Sequence, residues 1–62
     1  MKEFTSKVPY GWWEEFRNRA IAACGWTVEQ WQNRLADRTK LSDAERTVLD
    51  GVYEKMKNEF TI

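Results

Sequence analysis

Histidine is absent from the 62 residues, cysteine and proline occur once each, and acidic and basic residues cancel at ten apiece. Each of these shortages excludes something. Without histidine there is no ordinary imidazole base, and Cys24 with scattered carboxylates makes no zinc site, so neither catalysis, a metal nor a cofactor is expected. A single cysteine also rules out a disulfide within the chain. No glycine-rich phosphate loop occurs. Glu14 and Glu15 are adjacent, so on a helix they diverge by about 100° and cannot form a paired-carboxylate site. The balanced charge and a pI near 6.2 leave no global field that would draw the protein onto polyanions. No apolar run approaches membrane-spanning length, so no membrane partner is expected. The opening MKEFTSKVPYG lacks the apolar segment of a secretory signal, which together with the free thiol points to the cytoplasm.

What the chain does have is aromatic mass. Trp12, Trp13, Trp26 and Trp31 stand with Phe4, Tyr10, Phe16, Tyr53 and Phe60 in a length that allows one domain and one modest core. The pattern predicts an all-α, three-helix domain over residues 1–62. Residues 1 to 8 alternate too briefly to be assigned and are left as a tail. Pro9 suits the first turn of a helix, since its missing N–H costs nothing there, and the apolar arc then runs to about Cys24. That arc holds Trp12, Trp13, Phe16, Ala20, Ala23 and Cys24, so the thiol reads as packing, not as a nucleophile.

Between residues 24 and 46 the signals are local and specific. Gly25 suits a left-handed helix end, and Thr27 with Gln30 forms a capping box for a helix over about 28–37. Trp26 before the cap and Trp31 after it form a hydrophobic staple that fixes the angle between the two helices. Val28, Trp31 and Leu35 share one face. The opposite face shows Glu29, Gln30, Asn33 and Arg34, with Gln32 on the flank. Ser42 and Glu45 make a second capping box, and the third helix runs over about 43–59 with Leu49, Tyr53, Met56 and Phe60 in a stripe. Gly51 inside that helix costs about 1 kcal/mol relative to alanine, which points to close packing against a ring or another chain.

The segment 20 to 42 resembles the helix–turn–helix of small phage- and plasmid-type DNA-binding regulators, the repressor-like class whose second helix reads bases. Gly25, Trp26, Thr27, Trp31 and Leu35 fill that motif's turn, cap and anchor positions, and KLSDAERTVLDGVYEKM looks like the closing helix that follows it. Ile21 and Arg34 depart from it, standing where a small and an apolar residue are usual. The resemblance implies a non-enzymatic transcriptional regulator that binds double-stranded DNA. Thr27, Val28, Glu29, Gln32 and Asn33 would face base edges, and Arg34, Arg38 and Lys40 would hold phosphates. Regulators of this size commonly present two reading helices, so a homodimer is expected, and the apolar stripe of the third helix places Tyr53, Met56 and Phe60 at the contact with Trp12 or Trp13. The alternative is a protein-interaction module, an inhibitor or adaptor, that meets its partner through an exposed aromatic patch.

Overall fold

The computed structural model describes residues 1–60, and among them every regular element is helical: α1 over Lys2–Lys7, a 3₁₀ turn over Tyr10–Trp12, α2 over Trp13–Cys24, α3 over Val28–Leu35 and α4 over Asp43–Phe60. There are thus four α-helices where the sequence predicts three. α2 is the central element. It packs chiefly on α4 and, at its two ends, on the 3₁₀ turn and α3.

The expected tail is the first correction. Met1, Phe4 and Val8 are all buried, at spacings of three and four, and they seat α1 on the core. Two intervals are too few to register as a helical period, and among the described residues no side chain caps the helix. The second correction concerns Pro9. It lies in an extended conformation ahead of the 3₁₀ turn, accepting from the Trp12 N–H at 2.9 Å, and the α-helix begins only at Trp13. α3 also stops at Leu35, short of Asp37. Asp37 takes a positive φ of 61°, and its N–H donates back to the Arg34 carbonyl, closing the helix.

Aromatic stacking organises the interior. Phe16 on α2 lies 5.7 Å from Phe4 and 5.6 Å from Trp13, and its edge meets Trp31 at 6.4 Å. Phe4, Phe16, Ala20, Leu49 and Met56 are fully buried, so all the helices except α3 contribute a residue cut off from water. α3 contributes Trp31, which is almost as deep. Met56 is therefore core. It was expected at a dimer contact, but the α4 stripe turns it inward, and a side chain with no exposed surface cannot meet a second chain.

The turn between α2 and α3 forms as its residues predict. Gly25 adopts φ 68°, a left-handed conformation that carries little penalty without a Cβ, and both its N–H and that of Trp26 return to the Ile21 carbonyl. Trp26 and Trp31 then close the staple with centroids 6.4 Å apart.

Candidate functional site

α3 is pinned at its start by a reciprocal exchange. The Thr27 hydroxyl accepts from the Gln30 N–H at 3.1 Å, and Gln30 Oε1 accepts from the Thr27 N–H at 2.8 Å. With Trp31 buried against α2, the opposite side of the helix faces solvent. Val28 is 60 % exposed there, so it does not share the buried face with Trp31. Glu29 and Gln32 are exposed, and neither side chain has a hydrogen-bond or ionic partner among the described residues.

The other residues expected to touch DNA divide. Asn33 is half-buried and its Oδ1 accepts from Arg38 Nη1 at 3.0 Å, while its carbonyl accepts the N–H groups of Arg38 and Thr39. A base-reading candidate and a phosphate-holding candidate are thus bonded to each other. Lys40 is exposed beside a shallow depression of about 260 Å³ that Lys2, Glu3, Asp37, Leu41 and Arg46 also line.

Arg34 is the correction here. Its side chain is only 15 % exposed. Nη2 donates to Glu45 Oε2 at 3.1 Å, Nη1 donates to the Gln30 carbonyl at 3.1 Å, and the guanidinium lies 4.5 Å from the Trp26 ring centre. Its Nε is buried without a hydrogen-bond partner among the described residues. Such a guanidinium belongs to the fold and is not available to a phosphate. The departure from the usual apolar residue at this position has the same physical cause: the planar cation covers the indole as an apolar side chain would.

Glu45 joins this arrangement together. Oε1 accepts from the Ser42 N–H at 3.0 Å, completing the cap of α4, while Oε2 accepts from both the Trp26 indole at 3.0 Å and Arg34. The Ser42 N–H, with help from Arg34 and Trp26, holds the Glu45 carboxyl below its ordinary value against the opposing effect of burial. Burial and the Glu45 charge push the Cys24 thiol up, which suits the packing role expected of it. Sequence reasoning finds Glu45 only as a capping residue, because nothing local signals a guanidinium eleven residues upstream.

A second surface is aromatic. Trp12 meets Phe60 edge-on at 5.3 Å and Tyr53 at 6.3 Å, with Phe60 left 42 % exposed and Trp12, Trp13 and Tyr53 half-buried. Of the expected dimer contacts, four of five therefore keep some exposure. Sequence reasoning did not single out Tyr10, which is 97 % exposed and stands with Thr5, Val8 and Trp13 around a depression of about 330 Å³. Its exposure follows from its place at the start of the 3₁₀ turn, which no local pattern in the sequence marks. A Cβ built at Gly51 would meet nothing within 4 Å among the described residues beyond its own stretch of helix, so no described ring packs on it.

Among the described residues no cluster of three or more potential ligands could hold a metal ion, and no helix is long and apolar enough to cross a membrane. No protein-family model, curated protein or solved structure matches the chain.

Proposed function

We propose that the chain is a small, non-enzymatic DNA-binding regulator of the cytoplasm, in which α2, the Gly25 turn and α3 act as a helix–turn–helix and α3 enters the major groove. The observation that carries this reading is the outer face of α3. Val28, Glu29 and Gln32 project, without a partner among the described residues, from a helix whose start is capped and whose end is fastened to α4 through Arg34 and Glu45. A rigid helix with a free polar face suits a groove about 12 Å wide. Thr27 stands at the same end and keeps its hydroxyl hydrogen available, since the cap uses only the oxygen. Arg38 and Lys40 supply phosphate contacts, and Arg34 does not. A homodimer through Trp12, Tyr53 and Phe60 would present two such helices to a palindromic site about 34 Å in repeat.

Binding of a random duplex measured against salt tests the reading. Affinity falls steeply with added salt if phosphates are neutralised, and Lys40→Ala reduces the slope by about one. No binding at low salt, or binding indifferent to salt, overturns it. The nearly complete exposure of Tyr10 beside Trp13 favours a second reading, a protein partner held on that aromatic surface. Loss of partner capture on Tyr10→Ala, with no duplex binding, would establish it.

A further inference from the structure

α3 shows no cation on its exposed face. Its one basic residue, Arg34, is turned onto Trp26 and Glu45, so the commonest specific contact, arginine or lysine to guanine O6 and N7, is unavailable from this helix. In its place stand a carboxylate and an amide. Glu29 and Gln32 are three residues apart, hence neighbours on one side, and both are exposed without an intramolecular partner among the described residues. An ionised carboxylate only accepts hydrogen bonds. In the major groove only cytosine N4 and adenine N6 donate. A glutamine amide both donates and accepts, which matches adenine N7 together with N6.

From this placement we infer that α3 recognises the exocyclic amino groups of bases: Glu29 accepts from cytosine N4, and Gln32 pairs with adenine N6 and N7. The inference rests on the DNA reading above. Three residues advance a helix by about 4.5 Å, against roughly 3.4 Å per base on one strand, so the two bases lie within a step or two of each other. Val28 at the leading edge of the same helix has an exposed apolar surface suited to a thymine methyl.

Amino-group recognition has a chemical signature. Each exocyclic amino group carries two hydrogens, one engaged in Watson–Crick pairing and the other directed into the major groove. A methyl group on N4 or N6 of an intact pair takes the place of the second hydrogen and removes the donor. A methyl at cytosine C5 leaves it intact.

The test uses the full chain. Duplexes are selected from a random pool at low salt, and the enriched site is prepared unmodified and with N4-methylcytosine, N6-methyladenine or 5-methylcytosine. Wild type, Glu29→Ala and Gln32→Ala are titrated with each, and thermal melts check that the variants fold. Loss of one amino contact lowers wild-type affinity about ten-fold, whereas 5-methylcytosine changes it by no more than about two-fold. Glu29→Ala becomes indifferent to N4-methylcytosine while keeping its sensitivity to N6-methyladenine, and Gln32→Ala shows the reverse. A pool with no preferred sequence, or variants that keep the wild-type sensitivities, overturns the inference and leaves the DNA reading standing. Absence of any duplex binding overturns both.

Discussion

Thr27 with Gln30 and Ser42 with Glu45 close the starts of α3 and α4 by the same exchange. In each pair a hydroxyl accepts from the backbone N–H three residues on, at 3.1 Å, and the returning side chain accepts from the cap N–H, at 2.8 Å in the first and 3.0 Å in the second. They part at the fourth residue. Among the described residues the Gln30 side chain makes only the local bond, whereas the second oxygen of Glu45 draws in the Trp26 indole and the Arg34 guanidinium. One box starts a helix; the other also joins α3, the turn before it and α4. The same spacing therefore yields a local motif or a tertiary junction according to whether the returning side chain carries a charge and what approaches it.

Removing the junction gives the largest effect. Glu45→Ala keeps the Ser42 hydroxyl cap but loses the returning half of the box and leaves Arg34, largely covered, without its counter-charge, so a destabilisation of about 2–3 kcal/mol is expected in urea unfolding. A loss no larger than that of Thr27→Ala would break the comparison. Thr27→Ala itself should cost about 1 kcal/mol, the ordinary value of a cap. Glu45→Gln sharpens the contrast, because glutamine can still close the box as Gln30 does. Its cost, about 1 kcal/mol, then measures the charged contacts alone.

The interiors of the two helices differ as well. α4 contains Gly51 with open space around its Cβ position, so Gly51→Ala should raise stability by roughly 0.5–1 kcal/mol at low protein concentration. A destabilisation that grows with concentration would show that a second chain needs the glycine.

Acid also separates the boxes. The Glu45 carboxyl titrates below its ordinary value in the folded chain, so its stabilisation is complete above about 4.5, the ordinary value, and is lost as pH falls through the lowered one. The Thr27–Gln30 box has nothing to titrate. Urea midpoints measured from neutral to acidic pH should fall more steeply for wild type than for Glu45→Gln, and parallel curves would remove Glu45 from the acid response. Glu3, held low first by its own backbone N–H, Asp37, held low by the terminal amine, and Glu59, held low by Arg19, contribute equally to both curves.

Legibility followed the range of the interaction. The Gly25 turn, both capping boxes and the Trp26–Trp31 staple are readable because every partner lies within five residues. Arg34 is misread from sequence because its decisive partners, Trp26 and Glu45, lie eight and eleven residues away on different elements. Met56 falls on the apolar stripe of α4 as expected, but a period cannot say whether that stripe meets its own core or another chain. Of the candidate site, Glu29 and Gln32 were legible as exposed polar positions, while the mutual bond of Asn33 and Arg38 depends on the turn that follows α3. Tyr10 escaped notice because exposure is set by where a turn points, which composition does not encode.

The small helix α1 carries a consequence for the order in which the chain assembles. Six residues are too few to hold helical structure in water by themselves. Its ties reach far along the chain: Lys7 Nζ lies 3.1 Å from Asp50 and 4.6 Å from the Tyr53 ring centre, and Arg46 donates to Glu3, with 43 residues separating each ionic pair. Closing so long a loop is unfavourable until α2 and α4 have already paired. α1 then arrives last, laying Phe4 over Phe16 after the other helices have met. An element that docks after the rate-limiting step governs escape from the native state more than entry to it, so weakening α1 should speed unfolding and leave the refolding rate nearly unchanged.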